Sequence, residues 1–158
     1  MAAPTVTARQ VPVGIPYKDG FPTTIAFALD PDISFWEISV TPPAIEGGDP
    51  IDQTTMHNTT WRTQAPRSLA SLEELSLTVA YDERCYDQIL AILNENGAIT
   101  VHFPDGATLA FYGYLKRFEP QENQEGERPT ANITITPTNW DPDNNVEEGP
   151  VLTAAAGT

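Results

Sequence analysis

The chain has little sulfur, little histidine and little positive charge. Of its 158 residues one is a cysteine, Cys85, so an intrachain disulfide is impossible. The only histidines are His57 and His102, too few soft ligands to make a zinc site a reasonable expectation. Lysine and arginine together number 8 against 22 acidic residues, a net charge of −14. Binding a nucleic-acid backbone needs cations that displace counterions, so this balance argues against a DNA- or RNA-gripping protein. Half of the acidic excess falls in residues 119–158. No apolar run approaches the roughly 20 residues that cross a bilayer, and no membrane anchor is expected. The first residues lack the basic and apolar regions of a secretory leader, so synthesis in the cytoplasm is expected. The N-x-Thr triplets at Asn58 and Asn132 are then coincidental.

Proline, by contrast, is abundant: 15 residues, gathered at the ends and in one internal stretch. Pro4, Pro12, Pro16 and Pro22 make residues 1–22 an extended N-terminal arm. Residues 23–137 carry the periodic segments of a single β domain. Residues 138–158, acidic and then small and apolar, read as a C-terminal arm.

Within the domain, residues 23–29 alternate, with Ile25, Phe27 and Leu29 on one face. Residues 33–41 alternate again, setting Trp36, Ile38 and Val40 against Glu37, Ser39 and Thr41. With the Asp30-Pro31-Asp32 turn between them, these runs predict a hairpin. Residues 42–69 hold six of the prolines and glycines plus a polar run, and form a long loop. That loop carries Ile51, Met56 and Trp61, which a purely solvated loop does not need.

Residues 72–81 return to period two, with Leu75, Leu77, Val79 and Tyr81 facing inward. The period then changes. Tyr86, Ile89, Leu90 and Leu93 form a helical stripe, predicting one helix over about 83–95, capped by Asp82 and stopped at Gly97. Strands at 98–103 and 107–118 flank Asp105-Gly106, a strong hairpin signal. The second of these has Leu109, Phe111 and Leu115 on one face and Tyr112 and Tyr114 on the other, so both faces need cover. A charged loop precedes the last strand, 130–137. The expected class is mainly antiparallel β with one flanking helix.

Little here is equipped for chemistry. Asp141, Asp143, Asn145 and Glu147 echo the start of a calcium loop, but Val146 stands at the glycine position and no bidentate glutamate closes it. Cys85 sits in the first helical turn, where packing is the expected role, and neither histidine has a neighbour that would complete a triad. No catalytic residue, metal or cofactor is expected.

The segments TPPAIEGGDPIDQTTMHNTTWRTQAP (41–66), YDERCYDQILAIL (81–93), ITVHFPDGATLAFYGYLKRFEP (99–120) and ANITITPTN (131–139), in that order, resemble the siphophage major tail tube protein family. The likeness covers about residues 23–140 and rests on the order of segments, not on one motif. It implies an antiparallel β-sandwich or partly open barrel with a flanking helix, assembled into stacked, hexameric rings. The long loop, through Ile51, Met56, His57, Trp61 and Arg62, would pack between subunits and between rings. DNA would pass through an acidic lumen without specific binding. Tape-measure and tail-end proteins would be partners, and the virion the destination.

The residues agree with that implication. Open sheet edges are adhesive, and head-to-tail closure into a ring removes them. Glu37, Ser39, Glu73, Glu74, Ser76 and Thr78 are the candidates for the lumen wall, the glutamates being equally readable as ordinary solvated side chains. The alternatives are another ring-forming virion component, such as a tail terminator, a secretion-system tube protein, or, from a different class, a small hydrolase or metal-binding β protein.

Overall fold

The computed structural model describes residues 23–154 apart from 32, 34 and 82. The expected arm at 1–22, the Asp82 cap, Asp32 of the predicted turn and residues 155–158 lie outside the described residues. In chain order the strands are β1 (Thr24–Phe27), β2 (Trp36–Thr41), β3 (Ile45–Glu46), β4 (Ile51–Asp52), β5 (Gln64–Ala65), β6 (Ser71–Leu72) and β7 (Leu75–Ala80). A 3-10 turn (Glu83–Cys85) leads into helix α1 (Tyr86–Ile92). There follow β8 (Gly97–His102), β9 (Thr108–Pro120), β10 (Thr130–Pro137), β11 (Trp140–Asp141), β12 (Val146–Glu147) and β13 (Val151–Thr153).

Six strands lie side by side in the order β1-β8-β9-β10-β7-β2, every pairing antiparallel, and the sheet curls into a half-barrel. Of the two architectures expected, this is the partly open barrel. Alternation puts Ile25, Phe27, Ile99, Val101, Phe111, Leu115, Ile133, Ile135, Leu75, Leu77 and Val79 on one face. Ile89 and Ile92 of α1 and the connector residues Ile33 and Phe35 cover that face. Phe27 and Phe35 meet edge to face, their centroids 5.8 Å apart. Ile133 sits at the middle of this core with no exposure. Ile133→Ala should cost about 2–5 kcal/mol of unfolding free energy, measured as a lower urea midpoint at unchanged slope.

The predicted β1–β2 hairpin does not form. The connector carries the chain across the core face, so β1 ends at one margin of the sheet, on β8, and β2 at the other, on β7. One side chain links the two margins of the curled sheet: the Glu37 carboxylate accepts the outward-pointing amide of Ile25 at 3.1 Å. A bulge explains how it can. Glu37 lies opposite Val79 but Ser39 lies opposite Thr78, with Ile38 as the extra residue. The register slip turns Glu37 to the core side with Val40, away from Ser39 and Thr41. The expectation that those three share a face is therefore corrected.

A second bulge, at Lys116, falls where β9 pairs with β10: Ile135 opposes Leu115 and Thr134 opposes Arg117. It lets Leu115 and Phe118, three apart, both turn toward the core. The predicted β8–β9 hairpin is present. Its connection is a turn with Pro104 and Asp105 at the corners and only Gly106 at positive φ, 92°. That is a three-residue loop and not a two-residue one.

The helix is shorter and rotated relative to expectation. It ends at Ile92 because Asn94, at φ 62°, takes the left-handed position expected of Gly97. Gly97 instead opens β8, where an added Cβ would lie 2.5 Å from Leu29 Cγ. Ile89 and Ile92 are the buried pair, and Tyr86 and Leu90 are exposed. The C-terminal segment is no free arm through 154. β11 and β12 form a small hairpin, and β13 returns to pair with β9 on the side of β10, past the point where β10 ends. The Asp141 carboxylate, 3% exposed, knots that hairpin by accepting Asn144 Nδ2 at 2.7 Å and the amide of Asp143 at 2.9 Å. These bonds, with the Tyr112 hydroxyl, hold its carboxyl below the usual range.

Candidate functional site: a projecting ribbon and a polar sheet face

Residues 42–69, expected as a loop, form a ribbon. β2 and β7 continue outward as β3 paired with β6, then β4 paired with β5. Gly48, at φ 81°, permits the kink between the two ladders, with the Arg67 guanidinium donating to the Asp49 carbonyl at 2.8 Å across it. The tip, 53–63, is held by its own polar groups. Thr63 and Thr54 exchange bonds of 3.0 and 3.3 Å, and the Asn58 side chain accepts from the Thr55 amide at 2.8 Å while donating to the Trp61 carbonyl at 2.9 Å. The Asp52 carboxylate takes the Thr54 amide at 2.9 Å, and hydrogen bonds from the Thr54 hydroxyl and then that amide lower its pKa. His57 donates its amide to Thr55 Oγ1.

This network fixes a small platform whose apolar side chains have nowhere to go. Met56 is fully exposed, Trp61 is 76% exposed, and Ile45, Ile51 and Leu69 are exposed along the stem. His57 and Arg62 are exposed beside them. All five residues expected in an inter-subunit loop thus share one element. At its root the Glu46 and Glu73 carboxyls share a hydrogen bond, which with Glu73's charge raises the Glu46 pKa. Glu73 therefore belongs to the ribbon stem.

The second surface is the outer face of the half-barrel. Opposite the core, register brings together Ser39 and Thr41 of β2, Ser76 and Thr78 of β7, Asn132, Thr134 and Thr136 of β10, and Arg117 and Glu119 of β9. It continues through Thr108, Thr100 and Thr24 toward β1. Most of these residues line an open depression of about 300 Å³. Thr78 donates to Asn132 Oδ1 at 3.1 Å. Glu74 accepts from Lys116 and from Thr136 Oγ1, and these bonds hold its carboxyl below the usual range and Lys116 above its own. That stabilisation is present above the ordinary carboxylate pKa and fades as pH falls through the lowered value. Arg117 pairs with Glu119 at 3.0 Å.

Ser39, Ser76, Thr78 and Glu74 therefore do meet on one face, whereas Glu37 lies behind it and Glu73 beyond it. Sequence reasoning missed that Lys116 and Arg117 supply this face with two cations for its two carboxylates. The acidity of the chain lies elsewhere, and this face is polar and close to neutral. The signal was available: the bulge that turns both cations outward is implied by Leu115 and Phe118 being three apart. Among the described residues no group of three or more His, Cys, Asp or Glu is placed to hold a metal.

Solved structures share the fold of this chain. One is a chain in the virion of a native gene transfer agent particle, with TM-score 0.61 and 13% identity, covering 87% of this chain and 100% of that one. Another is in the tail of the empty gene transfer agent particle with C6 symmetry, with TM-score 0.57 and 13% identity over the same shares. A third is in the extended sheath-tube complex of an extracellular contractile injection system, with TM-score 0.57 and 16% identity, covering 92% of this chain and 95% of that one. At these identities the likeness is one of fold. No protein-family pattern and no curated sequence matches the chain.

Proposed function

We propose that this protein is the structural subunit of a tail-like tube, forming six-membered rings that stack around a lumen lined by the polar sheet face. The observation that carries the reading is the ribbon: a preorganised element that leaves Met56 and Trp61 in water when the subunit is alone. Large apolar side chains held out on a rigid platform are the signature of a surface awaiting a partner. The sixfold count is supported by the C6 tail and by the sixfold-symmetrised anti-feeding prophage baseplate among the similar structures.

The lumen assignment is supported by chemistry. A wall of threonine and serine hydroxyls, with each cation matched to a carboxylate, gives phosphate nothing to hold, and DNA would slide along it. The role would be mechanical, assembly and conduction, with no bond made or broken. Tape-measure and tail-end proteins would meet the tube at its lumen and ends, and the virion would be its location. An injection-system tube is the second reading, favoured by the sheath-tube neighbour.

The test is negative-stain electron microscopy of the purified protein at rising concentration. Rings and stacked tubes support the reading. A species that stays monomeric at millimolar concentration refutes it. Rings that form and never stack point to a terminator.

A further inference from the structure

The curled sheet has two margins, and they meet at a seam. β1 pairs with β8 and β2 with β7, and the remaining edges of β1 and β2 lie close enough for the Glu37 side chain to span them. Open edges accept strands from other molecules. β2 is the more hazardous of the two. From Ile33 to Thr41 the chain reads ISFWEISVT, rich in aromatic and β-branched residues and free of proline and glycine. Glu37, at the centre of that run, is the only charge between Asp32 and Glu46. Short segments of this composition stack into cross-β fibres when an edge admits them. Trp36 and Ile38, both exposed, give this edge an apolar flank.

We propose that the β2 edge is a latent strand-addition surface for a second copy of this chain, and that Glu37 is the residue that keeps it shut. Three features of Glu37 converge on this role. Its carboxylate accepts the Ile25 amide at 3.1 Å, and so holds the position that a carbonyl of an incoming strand would need. Its backbone stands just before the bulge at Ile38, which breaks the even ladder that a second strand would read from β2. Its side chain turns to the core side and is half-buried. A strand laid into the seam would push the carboxylate off its donor and enclose a charge without a partner, which is costly. A single charge within a fibre-prone run is also the pattern of a segment held in check by a gatekeeper. β1 adds to the protection by being only four residues long. This role is independent of the tube reading, since the guarded edge belongs to the free subunit whatever it later assembles into.

Two variants test this. Glu37→Val removes the charge and the acceptor; Glu37→Gln removes the charge and keeps an acceptor. Below the concentration at which the parent polymerises, Glu37→Val should form fibres that bind thioflavin T and diffract at about 4.8 Å, the spacing of strands stacked along a fibre. Its lag should be shorter than the parent's by about 10-fold or more, with Glu37→Gln between the two. In the folded monomer the Ile25 amide should exchange about 10-fold faster in Glu37→Val than in the parent, and near the parent rate in Glu37→Gln. Ile38→Lys, at the exposed bulge position, returns a charge to the edge and should restore the lag when combined with Glu37→Val. Glu37→Val that stays clear like the parent overturns the proposal. So do fibres that Ile38→Lys fails to suppress. So does a lag no shorter than that of Ile133→Ala at the same unfolding free energy, because that variant weakens the core and leaves the seam intact. If Glu37→Val does not fold, Glu37→Gln carries the test, and a lag equal to the parent's overturns the proposal. The tube reading stands or falls separately, on whether the parent forms rings and stacks.

Discussion

Subunits in which Met56 and Trp61 are both replaced by serine are expected to fold normally and to fail to polymerise. Both side chains stand in solvent and make no contribution to the core cluster, so the monomer's unfolding free energy should move by no more than about 0.5 kcal/mol. In an assembled tube each would be buried, a contribution of about 1.5–3 kcal/mol apiece. Ordering entropy ordinarily offsets much of such a gain. Here most of the ordering is done before contact. The bonds from Thr54, Asn58 and Asp52 fix the tip in the isolated subunit, so little backbone freedom remains to be lost. A loss of about 3–6 kcal/mol per ribbon corresponds to a rise in critical concentration of about 10²–10⁴-fold. Pelleting and light scattering across a concentration series would read it, with urea unfolding run alongside. Polymerisation of the double variant at the parent's concentration would remove the ribbon from the assembly mechanism.

How far the residues disclosed this arrangement depends on the range of the interactions involved. β7, β8, β9 and β10 were legible because alternation is local, and because turn chemistry at Asp105-Gly106 fixes the β8–β9 pairing without help from elsewhere. β1 and β2 were legible as strands and illegible as neighbours. Proximity in sequence suggested a hairpin, but burial of Ile33 and Phe35 rewards a connector that crosses the core face, and the pairing partners lie more than 30 residues away. The bulge at Ile38 was invisible to a strict period of two, and that one residue reverses the meaning of Glu37. The helix stripe was misphased by one position for a related reason. Seven residues make barely two turns, and two turns do not discriminate a Tyr86–Leu90 face from an Ile89–Ile92 face. The ribbon escaped because Gly and Pro normally punctuate loops; its ladders are two residues long each and survive as extensions of β2 and β7. The site residues fared according to the same rule: those on regular alternation, Ser39, Ser76 and Thr78, landed together.

Arginine placed at both Ser39 and Ser76 is expected to turn a passive wall into one that retains DNA. Both side chains are exposed on the polar face and border the same depression, so substitution should leave the core and the ribbon untouched. The parent face holds Lys116 against Glu74 and Arg117 against Glu119, so neither cation is available to phosphate. Two added guanidiniums leave the face with more cations than carboxylates and change that. Repeated around a ring, they present a circle of positive charge to anything in the lumen, and counterion release then favours a bound strand. The mark of this mechanism is its salt dependence. If about six phosphates are engaged, affinity should fall by about 10³-fold between 50 and 200 mM salt, and the parent tube should show no such binding at either concentration. Fluorescence anisotropy of labelled DNA with preassembled tubes measures both. Particles carrying the double variant should release DNA more slowly, and raised salt should restore part of the rate. A variant tube that binds no more DNA than the parent would mean that this face points outward, and that another surface lines the channel.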